Sequence, residues 1–370
     1  MKNKKKRIFL AAAGVFVLAL IILLIAKIGI KEHKKKTRIG IILSGSIEET
    51  GWNSMHYNGV KEACKKLGAE LLIRENIRED TGQCQEAVRA MAEEKAEMII
   101  LSSYGYSREV KDLIKNYPDI AFYSISSEYH DENLTSYFAR MYQARYLAGI
   151  IAGLQTKTNH IGYVAAMPNN EVNRGINAFT LGVKRVNPKA DVMVAWSGSW
   201  DDEEKEKEAA ANLMEKQADV LTYHQNQTYV SEAAEQAGID SIGYHEAVSG
   251  FSDHYLTAAV WNLEILYEVI IRDFQQGKGN SITNCWLGIE KGVVELSPYS
   301  GRVTEEARQE VEKAKAEIIS GKDVFSGEIY DTDGTLRCEK DETIADEMLL
   351  EHFDWYVEGV VLYEENIEKN

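Results

Sequence analysis

From Arg38 onward the chain alternates between short β-branched runs and longer stretches whose apolar residues return every three or four positions. Such runs fit strands buried on both faces, and the longer period fits helices with one apolar face. Arg38–Ser44 (RIGIILS) is predicted as a strand that feeds a Ser-Gly turn, Asn53–Leu67 as a helix stopped at Gly68, and Ala69–Ile73 as the next strand. A helix over Gln83–Glu94, a strand over Met98–Leu101, a helix over Ser107–Tyr117 closed by Pro118, a strand over Ile120–Ile125 and a helix over Gln143–Leu154 follow. The rhythm then restarts. Ile161–Ala165, Val192–Trp196, Val220–His224 and Ser241–Tyr244 read as strands, and Val172–Val186, Glu203–Lys216 and Val230–Ala237 as the helices between them. Leu256–Trp261 leads into a helix to Gln276, and Val293–Leu296 and Glu305–Ile319 give one more strand and helix.

Repeated βα units predict parallel sheets with helices on both faces, and two blocks without a Pro/Gly-rich linker predict two similar lobes joined by crossing segments. Small molecules bind such folds at the carboxyl ends of the strands, in the cleft between the lobes.

The N-terminal 37 residues follow another pattern. Ile8 to Ala26 is nineteen residues without a charge, and after Lys27 an apolar turn runs to Ile30. A helix of this length spans nearly the ~30 Å hydrocarbon core of a bilayer, and it exceeds the ~7–15 apolar residues of a secretory signal. No small-x-small cleavage pattern follows Leu24. An uncleaved single-pass anchor over residues 8–30 is the expectation. Basic residues flank both of its ends, so the positive-inside rule is nearly balanced.

Charge separates the anchor from the body. Eleven of the 42 Lys/Arg and one of the 58 Asp/Glu lie within residues 1–38, which leaves a body of 31 basic and 57 acidic side chains, net −26. So acidic a body repels phosphate backbones, which argues against nucleic-acid binding. Cys64, Cys84, Cys285 and Cys338 have no metal-binding spacing and read as buried thiols, with one bridge left open for an outward-facing body.

No nucleophile elbow, HExxH or phosphate loop occurs, so no enzyme class is indicated. His224 and His245 each end a predicted strand and, with Glu246, have the residue types of a metal site; a strand-end histidine is more often a hydrogen-bonding cleft residue. Asp331-Thr332-Asp333-Gly334 opens like a calcium loop with Glu342 at its twelfth position, but its fifth position carries no carboxylate. Its turn chemistry predicts a hairpin between Gly327–Tyr330 and Thr335–Arg337. No metal and no cofactor is expected. The aromatic residues are more informative. Gly51-Trp52-Asn53, Tyr104-Gly105-Tyr106 and Ser199-Trp200-Asp201 all follow predicted strands. Flat side chains there can stack on a planar ring while Asn and carboxylates bond its edge.

The stretch Asn159–Ala190 (NHIGYVAAMPNNEVNRGINAFTLGVKRVNPKA) closely resembles the second-lobe opening of the basic-membrane-protein family, the purine-nucleoside-receptor-like substrate-binding proteins of ABC importers. Collinear similarities run from GW at Trp52 through RYLAGIIAG at Arg145–Gly153, SWDD at Ser199–Asp202, IGYH at Ile242–His245 and GVVEL at Gly292–Leu296 to GEIYDTDG and DWYVEGVV. They cover residues 38–362. The resemblance implies a type I periplasmic-binding fold of two Rossmann-like lobes with a hinge, behind the N-terminal transmembrane helix. Beyond the anchor (1–37), which it does not cover, it divides the chain into lobe 1 (38–155 plus about 257–300), lobe 2 (156–256), and a C-terminal helix, hairpin and tail (301–370) packed on the lobes. It also implies a purine-like nucleobase or nucleoside as ligand, an ABC permease as partner, no enzymatic activity, and a body on the extracytoplasmic side of the cell membrane. The alternative is a ligand-sensing surface regulator with the same fold and no transport role.

By the same resemblance Trp52 matches the aromatic that stacks on the base, with Asn53 beside it. Tyr106, Glu171, Arg174, Trp200 and His224 fall at cleft or cleft-edge positions. Several polar positions depart from the family pattern. Glu49-Thr50 stands where relatives often have Asp before GW, Asn226 where a carboxylate is common, Ala247 with Glu246 beside it where Asp often follows GYH, and Glu290-Lys291 where Lys is common before GVV. Carboxylates that grip ribose hydroxyls or ring N–H groups are thus lost or displaced. A buried donor without its acceptor costs roughly 1–3 kcal/mol, so the expectation is an altered ligand or one that is not a nucleoside.

Overall fold

A computed structural model describes residues 36–48, 51–127, 129, 131–278 and 284–363. The expected anchor at 8–30, and Glu49-Thr50, lie outside the described residues. Among the described residues no helix is long and apolar enough to cross a membrane.

The first half of the body alternates as the periodicity predicts, apart from one further strand, Leu134–Ala139, that it did not mark. It runs β1 (Arg38–Ile42), α1 (Trp52–Leu67), β2 (Glu70–Arg74), α2 (Gln83–Glu93), β3 (Met98–Leu101), α3 (Tyr106–Val110), β4 (Ala121–Ile125), β5 (Leu134–Ala139) and α4 (Met141–Gln155). The second half follows with β6 (His160–Ala165), α5 (Asn170–Val186), β7 (Asp191–Trp196), α6 (Glu203–Glu215), β8 (Val220–His224), α7 (Tyr229–Ala237), β9 (Asp240–His245) and β10 (Tyr255–Trp261). Last come α8 (Leu263–Gln275), β11 (Asn284–Leu287), β12 (Val294–Leu296), α9 (Glu305–Ile319), the hairpin β13 (Ile329–Tyr330) and β14 (Leu336–Cys338), α10 (Asp346–Glu351) and β15 (Val360–Tyr363).

Two sheets result. The first has the order β11-β5-β4-β3-β1-β2 and the second β12-β10-β9-β8-β6-β7-β15. All pairings within them are parallel except β10 with β12. The central strands are buried on both faces: β3 and β4 are buried at every residue, as are β8, β9 and β10. Helices cover both faces, which is why these strands read as continuous apolar runs rather than alternating ones.

The chain crosses between lobes at places the one-dimensional pattern did not mark. Helix α4, expected in lobe 1, packs against α5, β10 and β12, so the first crossing falls near Arg140 rather than at 155. Strand β10, expected in lobe 1, is paired with β9 in the second sheet; only α8, against α1, and β11, beside β5, return to the first lobe before β12 goes back. Lobe membership is decided by hydrogen-bond partners far away in sequence, which local periodicity does not encode. The C-terminal tail also ends differently from a packed appendage, because β15 extends the second sheet beside β7.

The expected helix over 107–117 is split. Helix α3 stops at Val110, and a single 3-10 turn spans Ile114–Asn116. The hairpin forms as expected. Asp331 Oδ1 accepts from the amides of Asp333 (3.0 Å) and Thr335 (2.8 Å), and Oδ2 accepts from Arg337 Nε at 2.7 Å, so its oxygens serve the turn. All four cysteines are buried and unpaired.

Candidate functional site

The carboxyl ends of both sheets face one another across a cavity of about 400 Å³. The first lobe contributes Ser44 after β1, Trp52 at the start of α1, Glu79 after β2, Ser103 and Tyr104 after β3, and Phe138 on β5. From the second lobe come Asn169 and Glu171 at the start of α5, Trp200 after β7, His224 and Asn226 at the end of β8, and His245 at the end of β9.

Trp52 is held rather than loose. Its Nε1 donates to the Ser102 carbonyl at 2.9 Å, and its ring lies 4.2 Å from His56, 5.5 Å from His245 and 6.1 Å from Trp261. His56 is itself bonded to the Tyr267 hydroxyl, and burial depresses its pKa to about 3, so the imidazole is neutral. On the facing lobe the Trp200 ring stands edge-on to His224 at 6.0 Å. His245 adopts a left-handed backbone, φ 75°, a costly conformation for a non-glycine residue. That conformation sets its ring 3.8 Å from Tyr244 and next to Trp52.

Behind these rings lies a buried charged cluster. Arg145 on α4 is fully buried; it donates to the Tyr223 carbonyl at 2.6 Å and its guanidinium lies 3.7 Å from the Tyr244 ring centroid. Tyr244 Oη bonds His224 Nε2 at 3.0 Å, and Glu171 Oε1 lies 3.5 Å from the same nitrogen. Helix α5 begins at a side-chain cap, Asn169, whose Oδ1 accepts from Val172 N at 2.9 Å, and this fixes Glu171 at the cavity wall. Burial pushes the Glu171 carboxyl up to about 7 although Arg174 and Arg145 pull it down. Burial, with Arg145 and Arg174 nearby, holds His224 well below the ordinary histidine range. Burial first, and then His224 and Arg145, do the same for His245.

Five of the sequence-predicted residues line this cavity together: Trp52, Glu171, Trp200, His224 and Asn226. The other four do not. Asn53 accepts from Ser44 Oγ at 3.2 Å and ties α1 to the end of β1. Tyr106 is fully buried in lobe 1, its hydroxyl donating to the Ile77 carbonyl at 2.5 Å; its neighbour Tyr104 is the aromatic of that motif that reaches the cavity. As the first residue of α3, Tyr106 turns back onto the core, whereas Tyr104 stays in the preceding turn. Arg174 donates to the Leu349 carbonyl at 2.6 Å and lines an adjoining polar compartment of about 510 Å³ with Ser127, Ser136 and His352.

Glu246 joins the lobes instead of lining the cavity. Its Oε1 accepts from the Gly51 amide at 3.0 Å, at the N-terminus of α1. Gly51 sits at φ 94°, ψ −139°, and a Cβ there would come within 3.1 Å of the Asn226 carbonyl, so this close approach of the lobes requires glycine. Separating the lobes breaks the Glu246 bond, a charge-assisted one worth roughly 1.5–3 kcal/mol. Glu246→Ala is therefore expected to enlarge the ligand-free protein in small-angle scattering; an unchanged radius of gyration would show that the bond does not hold the lobes together.

Glu79 was missed by the sequence reading. It lies in the charged loop Glu75–Asp80, which looks like a solvated surface run, and its only signal was its place after a strand, the position shared by Trp52, Tyr104 and Trp200.

Residues 36–326 match the family model for PnrA-like ABC transporter substrate-binding proteins, designated Bmp. A purine-binding protein of Brucella abortus is 30% identical over 336 residues, 90% of this chain and 95% of that protein. A putative ABC transporter glucose-binding protein of Haloferax volcanii is 31% identical over 271 residues, 73% of this chain and 66% of that one. The crystal structure of a transcriptional activator of the comK gene from Bacillus halodurans superposes with a TM-score of 0.70 at 25% identity, covering 77% of this chain and 98% of that one. Two parallel-sheet lobes of periplasmic-binding-protein type, a cavity at the carboxyl ends of both sheets and a family match over most of the body agree: the chain belongs to the Bmp family of PnrA-like ABC transporter substrate-binding proteins, which bind ligands and are not enzymes.

Proposed function

We propose that the protein is a membrane-tethered extracytoplasmic receptor that closes its two lobes on a purine-like base or nucleoside and presents it to an ABC permease. The observation that carries this reading is the pair of tryptophans, Trp52 from one lobe and Trp200 from the other, lining a single ~400 Å³ cavity with polar groups at its edge. Planar heterocycles stack on such walls, and the Brucella relative is described as purine-binding. Ligand that touches both lobes stabilises the closed form, and the closed surface is what a permease reads. Asn226 in the cavity is neutral, and Ala247 lies outside it, so nothing at those positions demands a ribose. A free base should bind at least as well as its nucleoside.

Glu171 supplies a pH signature. A ring N–H that faces it needs the carboxylate, but in the free protein this group is half protonated near pH 7. The Arg174 and Arg145 guanidiniums face Glu171 and oppose the effect of burial, burial raises the pKa of the Tyr244 and Tyr163 hydroxyls that also face it, and His224 is held well below the ordinary histidine range. The ionised fraction falls roughly tenfold between pH 8 and pH 6, so affinity should fall about tenfold over the same interval. Calorimetry at pH 6, 7 and 8 checks it; a flat profile, or tighter binding at pH 6, would mean that Glu171 accepts no ligand proton.

The apolar stretch at residues 8–30 supports the tether. Intact protein is expected in the membrane fraction, with its body open to protease on whole cells; a mature protein beginning near residue 31–38 in the soluble fraction would refute it. The likeness to the comK-gene activator favours a second reading, a surface sensor that retains the binding cleft without feeding a transporter. Loss of uptake of the bound base in a deletion strain distinguishes the receptor from the sensor, whose loss leaves uptake intact.

A further inference from the structure

The ring cavity is lined by two carboxylates from opposite lobes, Glu79 and Glu171, and among the described residues lining it there is no Lys or Arg. Such a wall accepts hydrogen bonds and repels anions. It disfavours a phosphate, a carboxylate or a deprotonated ring, and it favours a neutral heterocycle that offers N–H groups at both ends.

Glu79 is the more rigidly aimed of the two. Ser103 Oγ donates to its Oε1 at 2.5 Å and the Gly105 amide donates to the same oxygen at 2.6 Å. Both donors come from the turn that follows β3, so the carboxylate on one strand-end loop is clamped by the next. A carbon placed on Gly105 would come within 2.7 Å of the Glu79 carboxyl carbon, so the glycine leaves just the room the carboxylate occupies. Both bonds fall on Oε1, and the carboxylate that carries Oε2 lines the cavity. An oxygen held this way can take one N–H from a ring but cannot donate.

We propose that Glu79 reads the edge of the bound ring and selects an exocyclic amino group over an oxo group at that position. The inference rests on the purine-like reading of the cavity and adds to it a preference: 6-aminopurine over 6-oxopurine. An amino group meets Oε2 as a donor. A carbonyl oxygen in the same place would set two acceptors against each other.

Glu79→Gln tests this with little change of shape. The amide oxygen can still accept from Ser103 and Gly105, while the NH2 group replaces Oε2 and donates into the cavity. Full-length protein, purified in detergent, is titrated with adenine and with hypoxanthine, which differ at the 6-position. Wild type is expected to bind adenine at least tenfold more tightly, and Glu79→Gln to cut that ratio at least tenfold. Wild type that binds both bases equally overturns the inference, whether or not the variant folds. An unchanged ratio in a folded variant overturns it too. Wild type that binds neither base overturns the inference, and the purine reading falls with it only if guanine and the nucleosides also fail to bind, which separates the two failures.

Discussion

Gly149→Ala is expected to destabilise the protein by about 3 kcal/mol, a fall in melting temperature of roughly 5–10 °C. Alanine is the better helix former by ~1 kcal/mol, so the sign depends wholly on packing. Helices α4 and α5 approach backbone to backbone. A methyl on Gly149 would overlap the carbonyl oxygen of Phe179, and one on Gly182 would overlap that of Tyr146. Gly153, one turn on from Gly149, is less tight: a methyl there would lie 2.8 Å from the Val186 side chain and 3.0 Å from the Val183 carbonyl oxygen, so the overlaps at Gly149 and Gly182 decide the matter. Those two are with backbone atoms, so no side chain can rotate away and the helices themselves must separate. That motion reaches the site, because α4 carries Arg145 and α5 carries Glu171 and Arg174. Gly301→Ala serves as the control: its nearest neighbour would be Asp253 at 3.8 Å, and the change should stay within about 0.5 kcal/mol. Thermal unfolding of the two variants side by side decides it. Equal melting temperatures would mean that the helix pair is less tightly set than its geometry indicates.

Trp52→Ala has the largest expected effect on binding. Stacking on one aromatic face contributes roughly 1–3 kcal/mol, so affinity for a purine should fall about tenfold to a hundredfold. Trp52→Phe keeps a ring but loses the bond to the Ser102 carbonyl, and a loss of only a few-fold is expected. If calorimetry gives the alanine variant wild-type affinity, the ring does not stack on Trp52. Together with the Glu79 and Glu171 experiments this divides the site by chemistry: the tryptophan acts on any planar ring, the carboxylates on particular edges.

Much of the fold was legible because each lobe is built from local units. Apolar runs such as Met98–Leu101 and Val220–His224 announce strands without help from the rest of the chain. Strand β5 was not legible, because Thr135 and Ser136 interrupt its apolar pattern although both are buried between β4 and β11. The lobe assignment of α4 and β10 was not legible either, for it depends on pairing with partners remote in sequence. In the site, residues at strand ends were found where the side chain is aromatic, as at Trp52 and Trp200. Tyr106 was chosen over Tyr104 because neither periodicity nor motif says which way each side of a one-residue glycine step points. Glu79 was hidden by composition, since a carboxylate among Glu75, Arg78 and Asp80 looks like solvent-exposed charge until the turn at Ser103–Gly105 closes over it. Glu246 was expected against ligand and instead bonds the Gly51 amide, a contact between residues 195 positions apart.

The central claim is that this cleft holds a purine-like ring, and direct titration is its shortest test. Purified protein at pH 8 is titrated calorimetrically with adenine, hypoxanthine, guanine and their nucleosides. The expected result is a dissociation constant in the micromolar range or tighter for at least one base, with the free base binding no more weakly than its nucleoside. A protein that binds none of them below millimolar concentration would contradict the claim.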